Sequence, residues 1–152
     1  MRTFWFYVVL LCCYFSPSYA DLASDVEKFA RLPGFSNPQI SPDGNQILYV
    51  RNFKDVMTDK NLSNIWLINS DGSKNRPITT GNQNDVYARW SHDGQKIVFK
   101  SNRQDERMKL FIMWMDTKEV APLTNTPKAP AQVTWSPDDR YLAFNMFVPI
   151  SE

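Results

Sequence analysis

Tyr87-Ala-Arg-Trp-Ser-His-Asp-Gly-Gln-Lys-Ile-Val-Phe-Lys100 reads as strand, tight turn, strand. The pattern occurs twice more. Upstream it is Pro38-Gln-Ile-Ser41-Pro42-Asp43-Gly44, followed by Ile47-Leu-Tyr-Val50. Downstream it is Gln132-Val-Thr-Trp-Ser136-Pro137-Asp138-Asp139, followed by Tyr141-Leu-Ala-Phe144. Ser41 to Ser91 is 50 residues and Ser91 to Ser136 is 45. A period of that length marks a solenoid, a propeller or an array.

The turn chemistry accounts for the motif. Serine opens the turn, proline supplies φ near −65°, and glycine takes the left-handed position, as in a type I turn closing a hairpin. His92 stands in the proline slot of the second copy, at some loss of rigidity. Asp139 stands in the glycine slot of the third, which aspartate tolerates better than most residues. The sequence therefore assigns Ser41, Pro42, Asp43, Gly44, Ser91, His92, Asp93, Gly94, Ser136, Pro137, Asp138 and Asp139 to structural turns.

Around the turns, each unit holds four short strands. Strand one ends at the turn serine, and strand two is Ile47–Val50, Ile97–Phe99 or Tyr141–Phe144. Strand three is Ile65–Ile68 and Leu110–Met113; strand four lies around Pro77–Thr79 and Pro122–Thr124. Ile65 and Leu110, Asp71 and Asp116, and Ile78 and Leu123 are each offset by 45. The five extra residues of the first unit thus fall between strands two and three, in the polar stretch Phe53 to Ser63, predicted as a longer hairpin loop. Ile47-Leu-Tyr-Val50 shows no alternation, so both faces of this strand need covering. Four-stranded sheets stacked around an axis supply that cover, and the fold class read is an all-β, incomplete β-propeller of about two and a half blades.

The remaining segments frame the repeats. Arg2, the apolar run Phe4 to Phe15 and the small residues Ser18 and Ala20 read as a signal peptide over 1–20. The run is short for a bilayer span of ~20 residues, and Leu11 before Cys12 argues against a lipoprotein site. Both cysteines lie in this segment, so the exported product holds together without disulfides. Ser24-Asp-Val-Glu27 has capping-box spacing, and Val26, Phe29 and Ala30 share one face, predicting a short leader helix within 21–34, stopped at Leu32-Pro33-Gly34. Blades follow at 35–80, 81–125 and 126–152, the last stopping where its third strand is due. Propellers close with about four to eight blades, so the chain reads as the amino-terminal piece of a longer protein. Loss of Arg2 leaves 16 basic against 16 acidic residues, a neutral balance that excludes an electrostatic footprint for nucleic acid or anionic lipid.

In their order, these features resemble the amino-terminal part of the prolyl oligopeptidase family of serine peptidases, in particular its bacterial acylaminoacyl-peptidase and dipeptidyl-peptidase branch. The residues that carry the resemblance are the leader helix, the opening Phe35-Ser-Asn-Pro-Gln-Ile-Ser-Pro-Asp-Gly44, the strand Ser63-Asn-Ile-Trp-Leu67, an Asp-Gly hairpin and a Pro-Ile-Thr ending. Ser-Pro-Asp-Gly repeats also resemble TolB-like periplasmic propellers, which dock partner proteins. The peptidase resemblance implies a propeller that screens peptide substrates for a carboxy-terminal α/β-hydrolase domain bearing a Ser-Asp-His triad. No catalytic residue carries over. Gly34-Phe-Ser36-Asn-Pro38 lacks the final glycine of a nucleophile elbow, and His92, the only histidine, sits in a turn.

Other patterns have plainer readings. Asp43, Asp93 and Asp138 lie in separate turns and cannot gather the ~6 oxygen ligands that calcium takes. No cofactor or metal is implied. The spacing also differs from a sialidase-type aspartate box. Trp66, Trp90, Trp114 and Trp135 fall in strands, with Trp90 and Trp135 equivalent, which favours blade packing over a sugar platform. Gln104–Arg107 and Lys54–Lys60 read as solvated tips. Asn61-Leu-Ser63 is a glycosylation sequon relevant only to a eukaryotic secretory route.

Overall fold

A computed structural model describes residues 33–148; the predicted signal peptide and leader helix lie outside these residues. Among the described residues, ten strands form three antiparallel sheets. The first sheet comprises β1 (Gly34–Ile40), β2 (Gln46–Asp55), β3 (Lys60–Asn69) and β4 (Arg76–Pro77). The second comprises β5 (Asp85–Trp90), β6 (Lys96–Ser101), β7 (Lys109–Trp114) and β8 (Val120–Pro122), and β9 (Ala131–Trp135) pairs with β10 (Leu142–Asn145). Each full sheet runs in simple up-and-down order, as a propeller blade does. The second blade meets the first through β5, which lies against β1, β2 and β3, with no comparable contact between β4 and β8.

The absence of alternation in strand two has a direct structural counterpart in the second blade. Ile97, Val98 and Phe99 are all fully buried. Ile97 and Phe99, with Phe111 and Met113 across the ladder, pack against Leu48, Ile65 and Leu67 of the first blade. Val98, Leu110 and Ile112 point the other way and pack against Val133 and Trp135 of the third. One sheet thus contributes to two cores. The Phe99 and Phe111 rings stack across their register pair with centroids 6.0 Å apart.

Two expectations need correction. Phe53 to Ser63 is not a loop, because β2 continues to Asp55 and β3 begins at Lys60. An unbroken register from Gln46↔Asn69 to Asp55↔Lys60 lengthens the hairpin by strand rather than by coil. Its tip is a tight turn in which Asp55 accepts bonds from the Met57 amide and the Thr58 hydroxyl. Lys54 pairs with Asp59 at 2.7 Å, and Asp59 takes a left-handed φ of 54°. Polar composition marked solvent exposure there, but extended backbone tolerates exposure at a projecting tip. Strand four also stops earlier than predicted, at Pro77 and Pro122.

Just past those prolines, both blades share a threonine device. The Ile78 and Leu123 amides donate to the carbonyls of Ile65 and Leu110. The Ile65 and Leu110 amides donate in turn to the Thr79 and Thr124 hydroxyls at 2.9 and 3.0 Å. The side chain replaces the ladder partner that strand four no longer offers. Thr79 is buried, so its loss strands a buried N–H, a cost of about 1–3 kcal/mol. Thr79→Val, which keeps the shape, should lower unfolding free energy by about that amount in urea titrations. A change below ~0.5 kcal/mol would show that water serves the amide equally well.

Candidate functional site

The three turns build the same network. The Ser41, Ser91 and Ser136 hydroxyls donate to Asp43, Asp93 and Asp138 at 2.5, 2.6 and 2.6 Å. Each serine oxygen also accepts the amide five residues on, from Gln46, Lys96 and Tyr141, at 2.9 Å. Each aspartate further accepts the amide two residues on. Donors aimed at the ionised form stabilise it. The Ser41 hydroxyl and then the Asn45 amide hold the Asp43 carboxyl below its ordinary range. Ser91 and Gln95 do this for Asp93, and Ser136 and Arg140 for Asp138.

Successive turns also meet across the blade junctions. At the first, a Cβ on Gly94 would lie 3.6 Å from the Pro42 ring, so the second slot of one turn faces the fourth slot of the next. At the second junction the same two slots hold His92 and Asp139. The Asp139 carboxylate accepts the His92 and Asp93 amides at 2.8 Å each and faces His92 Nδ1 at 2.8 Å. Asp139 takes the left-handed φ of 55° that glycine would otherwise supply. Burial pushes its carboxyl up, but the His92 amide, the His92 ring and the Asp93 amide more than offset this and leave it below the usual range. The two departures from the repeat therefore complement each other. Proline has no N–H to give, and glycine has no carboxylate to receive one.

A second equivalent contact lies beneath the turns. The Trp90 indole donates to the Gln39 carbonyl at 3.4 Å, and the Trp135 indole to the Arg89 carbonyl at 3.2 Å. Each tryptophan thus reaches from one blade to the first strand of the blade before it. An open groove of about 350 Å³ remains between the first two turns, lined by Pro42, Asp43, Trp90, Asp93 and Gly94.

No hydrolytic constellation arises from Ser91, His92 and Asp93. Ser91 is fully buried and bonded to Asp93 and Lys96, while His92 turns to Asp139 of the next blade. A site that the repeats did not announce lies at the other end of the second blade. Asp85 is fully buried and accepts Arg103 Nη2 on both oxygens at 3.0 Å, with Gln83 Nε2 at 3.1 Å. The Arg103 guanidinium lies 5.0 and 5.2 Å from the Phe99 and Phe111 ring centroids. Its signal in the sequence is a break in the repeat, since the equivalent positions are Phe35 and Pro130. Arg103 thereby caps the first junction core.

Repeated four-stranded blades packed face to face, with a serine–aspartate turn in each, define a class of propeller. A family profile for the TolB beta propeller domain matches residues 19–147, and the chain belongs to that family. Among curated relatives, it is 33% identical over 103 residues to an uncharacterized peptidase, YuxL, of Bacillus subtilis, covering 68% of this chain and 16% of that protein. It is 29% identical over 115 residues to dipeptidyl-peptidase 5 of Porphyromonas endodontalis, covering 76% of this chain and 16% of that one. The chain thus spans about one-sixth of each relative's length. Among solved structures, the Pyrococcus horikoshii acylaminoacyl peptidase superposes with a TM-score of 0.62 at 20% identity, over 75% of this chain and 17% of that one. At that identity the likeness is one of fold.

The complementarity of His92 and Asp139 predicts a non-additive cycle. His92→Pro and Asp139→Gly should each lower the melting temperature. The double variant should lose less than their sum, because it recreates the Pro42–Gly94 contact. The sign with pH comes from the lowered carboxyl. Its contribution is present above the unfolded value near ~3.9 and is lost as pH falls through the lower folded value. The coupling measured at pH 6 should therefore fade as the pH is taken from about 5 down through 3. Strict additivity at pH 6 would show that the two turns are independent.

Proposed function

We propose that the chain is the amino-terminal propeller portion of an exported serine peptidase of the prolyl oligopeptidase type. In this reading the stacked blades admit peptides and short unfolded chains to an α/β-hydrolase domain, which performs the acyl transfer. The observation that carries it is the identity of the sequence relatives. Both are peptidases, and both align over two-thirds or more of this chain. The buried Ser91 and the engaged His92 are consistent with that division of labour, since the one serine–histidine–aspartate run of the sequence is taken up by turn and junction bonds. The second reading, a protein-docking module, draws on the match to the TolB beta propeller domain.

A fluorophosphonate probe separates the two. The protein that carries this chain should be labelled on one serine outside residues 1–152, and isolated residues 21–152 should not be labelled. Trp135→Ala, which loosens the second junction, should raise cleavage of a chain of some thirty residues several-fold relative to a tripeptide, because the blades discriminate by size. Full-length protein that binds partners but never labels would favour the docking module.

Export is part of the proposal and rests on Arg2, the apolar run Phe4 to Phe15 and the small residues Ser18 and Ala20. Amino-terminal sequencing of the secreted product should begin Asp21-Leu22-Ala23. Product retained in the cell with Met1 intact would remove this part of the reading.

A further inference from the structure

The first strand of every blade carries a bulge with one residue in the left-handed region. These residues are Asn37 at φ 52°, Tyr87 at 61° and Gln132 at 49°. In β1 and β5 the ladder register shifts around them, between Ser36 and Gln39 and between Val86 and Arg89. Asparagine visits this conformation readily; a tyrosine there is an outlier. The bulge belongs to the blade, but the aromatic ring at this position belongs to the second blade alone. Backbone strain of this kind persists where the surrounding structure enforces it, and it gathers at binding sites.

Two cations converge on that ring. The Arg89 guanidinium carbon lies 3.8 Å from the Tyr87 centroid and Lys100 Nζ lies 5.0 Å from it. All three side chains are half-buried. Among the described residues neither cation has a carboxylate within 4 Å. Arg89 gives one bond, from Nη1 to the Ala88 carbonyl at 2.7 Å, which leaves most of its planar fork free. A ring quadrupole attracts each cation, but it does not cancel two like charges brought to one spot. The bulge re-aims the side chain it carries, and β5 is the strand through which the second blade meets the first.

We propose that Tyr87, Arg89 and Lys100 form a carboxylate site beside the core that joins the second and third blades, against which Tyr87 packs, and that this site takes the free carboxy-terminus of a peptide. The guanidinium fork matches a carboxylate in two parallel bonds, the ammonium adds a second charge, and the tyrosine face holds both in place. The choice of a peptide as the bearer of the carboxylate rests on the peptidase reading above.

Equilibrium binding of a labelled tripeptide, as free acid and as carboxy-terminal amide, tests this on the protein that carries the chain. The acid should bind at least tenfold tighter than the amide. Arg89→Gln and Lys100→Gln should each erode that preference and leave amide affinity unchanged. Tyr87→Asn guards against simple misfolding. Asparagine suits the left-handed position, which offsets the apolar burial that the ring gives the second junction core, so this variant should retain a cooperative thermal transition and yet lose most of the preference. Equal affinity for acid and amide would overturn the site while leaving peptide selection by the blades intact. So would a preference that survives Tyr87→Asn and both cation variants. Displacement of the acid peptide by inorganic phosphate at lower concentration than by acetate would overturn the assignment to a peptide carboxylate. Acid preference in a protein that hydrolyses no peptide would uphold the site and remove the peptidase reading.

Discussion

The constraint on which this structure depends is that a blade's middle strands are apolar on both faces. β6 and β7 bury Ile97, Phe99, Phe111 and Met113 toward one neighbour and Val98, Leu110 and Ile112 toward the other. Full burial of each such side chain is worth about 1.5–3 kcal/mol, and neither half of that gain exists without the adjacent blade. A lone four-stranded sheet of this composition would present an oily face to water on each side. Stability is therefore a property of junctions, and the rest of the chain serves to align them. The turns, the indoles and the threonine hydroxyls all act at fixed places relative to those two cores.

Much of this was legible because it is local. Serine, proline, aspartate and glycine at fixed offsets dictate the turn, and three copies dictate the period. Strand three and the equivalence of Trp90 with Trp135 follow from the offset of 45. The equivalence of Thr79 with Thr124 lies in the same alignment, but its meaning needs the ladder, because only the fold shows that the Ile65 and Leu110 amides lack a strand partner. The lengthened hairpin at Phe53 to Ser63 was misread for a related reason. Polar residues say where solvent is, while cross-strand pairing decides whether the backbone is extended there. The Asp85–Arg103 pair spans 18 residues and carries no motif. The bond from His92 to Asp139 spans 47, and it exists only because turns of adjacent blades stack.

That last pair bears on how such an assembly keeps its order. Apolar contact is not directional, so a junction held by side-chain packing alone tolerates some sliding of one blade against the next. Pro42 against Gly94 is a contact of that kind. At the next junction the Asp139 carboxylate must meet two amides and an imidazole at once, each at 2.8 Å. Such an arrangement adds a modest net strength over what water would give the same groups, and a shift of about one ångström breaks it. It fixes register where packing supplies adhesion. Register matters most at that junction, because Trp135 there bonds the carbonyl of Arg89, the strand whose bulge holds Tyr87 in its strained conformation. The two departures from the turn motif, which read separately as tolerated lapses, together hold the third blade in place against the second.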